Sequence, residues 1–178
     1  RANLDHINQA ISDPSVDWNR VVDRAFQHDI APLLYRSMQH LNGTEVRPAL
    51  GRLKAAYLAN AIRNTLLFRE LQKLLRAFQE REKPVLVLKG AALAQTVYRD
   101  HALRVMSDVD LLIHKTDLSE VEEMLGSLGY ALDERHQRMK EWYCAHHYHL
   151  AFRKELSPSF TICCEIHWYL ERPSLPFP

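Results

Sequence analysis

Two aspartates one residue apart, in Arg104-Val-Met-Ser-Asp-Val-Asp-Leu-Leu-Ile113, are the side chains of this sequence best suited to chemistry. Apolar residues alternate with them, which predicts a strand over Val109–Ile113. Successive strand side chains take opposite faces, so Asp108 and Asp110 share one face while Val109, Leu111 and Ile113 enter a core. Carboxylates about 6 to 7 Å apart at the mouth of a buried strand are costly to keep ionised without a cation, and a divalent metal removes that cost. Magnesium suits oxygen-only ligands and keeps positions open for water and substrate phosphates. The alternative is that both aspartates cap the following turn or face solvent, as short acidic motifs commonly do.

A second acidic candidate comes from a hairpin. His147 to Arg153 and Phe160 to His167 read as strands flanking a polar turn, Glu155-Leu-Ser-Pro-Ser159. Pairing them so that residue numbers across a rung sum to about 314 puts Tyr148, Leu150 and Phe152 beside Ile162, Cys164 and Ile166 on an apolar face. The opposite face carries His147, His149 and Arg153 with Thr161, Cys163, Glu165 and His167. That face is either solvated, as one side of an antiparallel pair often is, or a site wall with Glu165 as a third carboxylate. His146-His147-Tyr148-His149 invites a zinc reading, yet no cysteine stands at ligand spacing. His147, His149 and His167 fit better as a possible substrate wall, with His167 orienting Glu165.

The elements that must hold these residues change character along the chain. The first 80 or so residues are helical in pattern, restarting near Pro32 and Pro48, with a long stripe from Arg52 to Glu82. After Lys83-Pro84 the pattern becomes strand, tight turn and helix: Val85–Leu88, then Lys89-Gly90, then Ala91–Tyr98. Asp117, with Glu120 three residues on, reads as a capping box opening a helix that Gly129 closes. The expected fold class is α+β (mixed α/β), with an N-terminal helical region, residues 1–82, packed on a small mixed β-sheet core, residues 83–178.

Composition narrows the partners. The 178 residues carry 23 Lys+Arg against 22 Asp+Glu, a net charge of +1, without the basic excess of a domain that grips polymeric nucleic acid. The five glycines form neither GxGxxG nor a Walker A loop. Three cysteines, Cys144, Cys163 and Cys164, offer no CxxC spacing and suit a reduced, cytoplasmic setting. No apolar run is long enough to predict a membrane span, and no signal peptide pattern is present. The start at Arg1 and the proline-rich end Ser174–Pro178 read as a piece of a longer chain, truncated at the C-terminus.

Leu88-Lys-Gly90, Tyr98, Arg104 ahead of Ser-Asp-Val-Asp-Leu-Leu-Ile113, Leu128-Gly-Tyr130 and Cys164-Glu-Ile-His-Trp168 together resemble a family of uncharacterised bacterial nucleotidyltransferases in the polymerase-β-like superfamily. The resemblance covers about residues 85 to 170. It implies that Asp108 and Asp110 are the metal-binding and catalytic pair, that Glu165 is the third catalytic and metal-binding carboxylate, and that Mg2+ is the cofactor, as two ions, with Mn2+ as a substitute. Lys89-Gly90 stands where the wider superfamily has a Gly-Ser turn. Lys89, Gly90, Arg104 and Ser107 are the candidate nucleotide- and phosphate-binding residues. The implied reaction moves a nucleoside monophosphate from an NTP, ATP foremost, to the hydroxyl of a small molecule or protein. Two alternatives share the acidic motif: a DxD metal-dependent glycosyltransferase and a catalytically silent nucleotide-binding module. The first requires more βα units before the motif than this chain offers.

Overall fold

The computed structural model describes residues 13, 15–41 and 46–170, so the proline-rich end at Ser174–Pro178 lies outside the described residues. These residues fall into two compact units, within Arg1–Asn64 with Val97–Val105 and within Thr65–Thr96 with Met106–Pro178.

The first unit is helical. Helix α1 (Trp18–Gln27) is capped by Asp17, whose side chain accepts a hydrogen bond from the Arg20 amide at 3.1 Å. Helix α2 (Ala31–Met38) carries Pro32 in its first turn, where a missing N–H leaves no hydrogen bond unmade. Helix α3 runs 34 residues, Arg47–Glu80, and begins before the expected Arg52 because Pro48 is tolerated in its first turn. Its first part belongs to this unit and its second to the other. Val22, Ala25, Ala31, Met38, Val46, Ala49 and Leu53 form the apolar centre here.

Two polar residues interrupt the α3 stripe, and both have work. Asn60 donates to the Ala102 and Arg104 carbonyls at 2.8 and 3.0 Å. Asn64 donates to the His101 carbonyl and, at 2.7 Å, to that of Arg104. The side-chain amides thus do for this loop what a strand partner would do, satisfying carbonyls that burial strips of water.

The second unit is built on a five-stranded sheet in the order β1-β2-β5-β4-β3. The strands are β1 (Leu86–Val87), β2 (Asp108–Leu112), β3 (Ala131–Leu132), β4 (His149–Ser157) and β5 (Phe160–His167). β2 and β5 are parallel, and the other pairs are antiparallel. Helix α4 (Lys89–Leu93) follows β1 and passes into a π-helical turn, Ala94–Tyr98. Helix α5 (Leu118–Ser127) follows β2, and the short helices α6 (Glu134–Arg138) and α7 (Lys140–His146) precede β4. Leu74 and Phe78 of α3, Val121, Met124 and Leu125 of α5, and Val109, Leu111, Leu150, Phe152, Ile162, Cys164 and Ile166 of the sheet form one core.

Several local expectations need correction. The hairpin rungs sum to 316 rather than 314, pairing Leu150 with Ile166 and Phe152 with Cys164. The turn is only Pro158-Ser159, and an irregularity between Glu155 and Ser157 takes up the remaining residue. A shift of two preserves which side chains share a face. His147 is not on the strand but ends α7, its amide bonded to the Tyr143 carbonyl at 2.8 Å. The capping box does not form, because the Asp117 and Glu120 carboxylates instead hold Lys83 at 3.0 and 2.7 Å. Gly129 does close α5, with φ +83°, and the Tyr130 amide reaches back to the Leu125 carbonyl at 2.9 Å.

On the core side, Glu70 of α3 is buried with charged company. It pairs with Lys73 and with Lys154 of β4, the latter at 2.7 Å, and the Tyr130 hydroxyl points to it at 3.5 Å. Burial opposes the Glu70 carboxylate, yet the two ammonium groups outweigh it and hold its pKa below the usual range.

Candidate functional site

The β2–β5 register decides where the acidic residues meet. Asp108 stands beside Cys163 and Asp110 beside Glu165, one strand spacing away in a parallel pair. Val109 and Leu111 are fully buried on the other side, which anchors this facing against slippage. Asp108, Asp110 and Glu165 therefore lie on one face, where Ala151 is the β4 neighbour of Glu165 and presents only a methyl group beside it.

Two cationic or potentially cationic groups converge on Asp110. The Lys89 Nζ lies 2.5 Å from its Oδ1 and 3.8 Å from Glu165 Oε2. The His167 Nε2 lies 2.9 Å from Asp110 Oδ1 and 3.3 Å from Glu165 Oε2. Asp110 and His167 are almost wholly shielded, at 3% and 1% exposure, whereas the Lys89 side chain is 55% exposed. The backbone explains how lysine arrives there. The Leu88 amide donates to the Asp110 carbonyl at 2.9 Å, and Lys89 then takes a left-handed φ of 46° as the chain turns into α4. For a residue with a Cβ that conformation costs on the order of 1 kcal/mol.

The titration of the group divides its members. Burial works against ionised Asp110, but hydrogen bonds from His167 and Lys89 hold its pKa below the usual carboxylate range. The His167 hydrogen bond does the same for Glu165, against its burial. Asp108 goes the other way: burial first, then the charges of Asp110 and Glu165, raise it, and the Ser107 side-chain hydrogen bond offsets only part. Burial disfavours the charged forms of Lys89 and His167, and their acidic neighbours more than compensate, so both are raised.

Asp110, Glu165 and His167 each present a ligand atom within 4.8 Å of the others, the grouping a divalent ion needs. The donor set of carboxylate oxygens with one imidazole nitrogen fits Mg2+ through its oxygens and Mn2+ through all three. Asp108 lies on the same face, two residues along β2.

The other candidates are placed as follows. Gly90 is half-buried, and a Cβ added there would lie 3.1 Å from Met106 Cγ, so close packing at the start of α4 accounts for the glycine. Ser107 is exposed beside Asp108. Arg104 belongs to the first unit, where its carbonyl is held by Asn60 and Asn64. His149 stands beside His167 with ring centroids 5.0 Å apart, and His147 is 5.7 Å from His149. Arg153 is engaged by Asp133 at 2.6 Å.

Sequence reasoning missed His136 and Tyr143. Their rings are 4.3 Å apart, His136 is 5.7 Å from His149, and the Ala151 amide points to the His136 ring at 3.4 Å. Burial, with neighbouring imidazoles, outweighs Glu165 and depresses His149 to about 4, so these rings form a neutral aromatic wall beside the acids at pH 7. The break at Met139 between α6 and α7 hides their relation from any helical spacing.

A mixed five-stranded sheet with helices thus gathers acidic side chains from two adjacent strands on one face. The chain belongs to the family described as uncharacterised nucleotidyltransferases, which it matches over residues 14–178. No protein of curated function matches it in sequence. Among solved structures it is similar to ANT(2″)-Ia in complex with adenylyl-2″-tobramycin, at 22% identity and a TM-score of 0.39. That match covers 57% of this chain and 49% of the other, so the chain spans about half the length of that protein.

Proposed function

We propose that this chain transfers a nucleoside monophosphate from an NTP, ATP foremost, to a hydroxyl of a small molecule or protein in a Mg2+-dependent reaction. The observation that carries the reading is the rung Asp110–Glu165, with Asp108 on the same face, in a member of a nucleotidyltransferase family. Asp108 and Asp110 would hold two ions between them and Glu165 would hold one of the two. When bound, such ions supply positive charge to the phosphates and lower the pKa of a coordinated hydroxyl.

The chain's own residues then have distinct parts. The acceptor oxygen attacks the α-phosphorus, the bond to the bridging oxygen breaks, and pyrophosphate leaves. Glu165 Oε2, half-shielded and fixed by His167, accepts the acceptor's proton. Lys89, the Gly90 amide and Ser107 are the groups proposed to bind phosphate oxygens. The wall of His147, His149 and His167 lines one side of the acids and offers hydrogen bonds to the acceptor.

The test needs no knowledge of the acceptor. With α-labelled NTP and Mg2+, water takes its place slowly, and the expected products are nucleoside monophosphate and pyrophosphate, both lost in Asp110→Asn. Release of the γ-phosphate alone, or turnover undiminished in Asp110→Asn, would refute the reading.

A further inference from the structure

Three carboxylates share one sheet face, and the structure already holds a cation among them. We propose that the Lys89 ammonium occupies the divalent-ion position of the metal-free protein, so that metal entry requires its release from Asp110. The inference rests on the proposed metal site and adds a gate to it.

The geometry carries the argument. Lys89 Nζ contacts Asp110 Oδ1 at 2.5 Å and lies within 3.8 Å of Glu165 Oε2, the same two carboxylates that complete the metal-competent group with His167. One positive charge cannot pair with Asp110 at that distance while a divalent ion takes the same oxygen, because two cations would then share one lone-pair region. Of the other basic side chains nearby, His167 also contacts both carboxylates but is itself a member of the metal-competent group, while Arg153 is committed to Asp133, Lys154 to Glu70 on the opposite face and Lys115 to the Cys144 carbonyl. Release is sterically open, since more than half of the Lys89 side chain is solvent-exposed while its carboxylate partner is buried. The hydrogen bond from Leu88 to the Asp110 carbonyl fixes the backbone beside the site, so the released ammonium swings on its own methylene stem.

The lysine therefore works as a tethered counter-ion that keeps Asp110 and Glu165 ionised and gathered before metal arrives. A charge-assisted hydrogen bond of this kind, half-exposed, weakens metal binding on the order of tenfold.

Mn2+ binding to the full chain, followed by electron paramagnetic resonance, is the assay. Loss of binding in Asp110→Asn establishes the site. With that shown, Lys89→Met binds Mn2+ about tenfold more tightly than wild type, whereas Lys89→Arg stays weak. Arg153→Met, which removes a charge from the same face without vacating Asp110, changes affinity by less than about threefold. Equal or weaker binding by Lys89→Met, or equal tightening by Arg153→Met, overturns the proposal. Mn2+ binding that is absent or indifferent to Asp110 overturns the underlying site reading instead. Mg2+ titration of wild type, followed by the 15N resonance of the Lys89 ammonium, supplies a readout free of substitution: the signal moves to the position of solvated lysine, and an unmoved signal while metal binds refutes the displacement.

Discussion

Asp108→Asn should make the metal-free protein more stable while removing its function. Asp108 and Asp110 stand two residues apart on β2, about 6.6 Å at the usual strand rise. At an effective dielectric of about 20, two unit charges at that distance repel by roughly 2.5 kcal/mol. Burial is the first reason the Asp108 carboxyl is raised; the charges of Asp110 and then Glu165 add to it, and Lys89 subtracts from it. An isosteric amide removes the charge and keeps a partner for Ser107. Half-exposure and the Lys89 charge leave a net gain of about 1 kcal/mol, equivalent to roughly 2–4 °C in melting temperature for a chain of this size. The assay is thermal unfolding by circular dichroism in EDTA and again in excess Mg2+. In EDTA the variant melts above wild type. In Mg2+ the order reverses, because saturation at 100 times Kd stabilises wild type by about 2.7 kcal/mol and the variant by much less. A variant that melts below wild type in EDTA would refute the reasoning, since Asp108 would then be a stabilising partner rather than a repelled one.

Other outcomes follow from residues already described. Glu70→Gln should flatten the acid limb of the stability curve: a carboxylate held below its unfolded pKa stabilises above about pH 4.3 and loses that contribution as pH falls through the folded value, so urea midpoints of the two proteins converge in acid. Asn64→Leu should cost about 2–3 kcal/mol in urea unfolding, because the His101 and Arg104 carbonyls lose a buried donor. Gly90→Ala should cost about 1 kcal/mol and Gly90→Val more, since the added methyl lies 3.1 Å from Cγ of the buried Met106; an equal effect of Met106→Ala plus Gly90→Ala would show that this packing is not the cause.

What could be read from the sequence was what periodicity controls. The alternation at Asp108–Ile113 fixed the facing of both aspartates, and hairpin parity put Glu165 and His167 on the same side even though the rungs were off by two. Where one residue had competing partners, the sequence was ambiguous. Asp117 sits at a helix start yet serves Lys83, and Asn60 and Asn64 occupy an apolar stripe because a distant loop needs donors. β3, α6 and α7 are two to seven residues long, too short to impose a period, and exist by packing on β4. The parallel union of β2 with β5 joins residues more than fifty positions apart, so Asp110 and Glu165 meet only in the fold.

That union has an evolutionary consequence. Asp110 and Glu165 belong to adjacent strands at the middle of the sheet, and between β2 and β4 the chain makes an excursion, residues 113–148, before β4 turns back into β5. Insertions and replacements in that excursion can alter what lies around the acids without altering the distance between them. In the proposed reading, the segment carrying His136 and Tyr143 would bear on what is modified, while the two strands hold the acids that modify it.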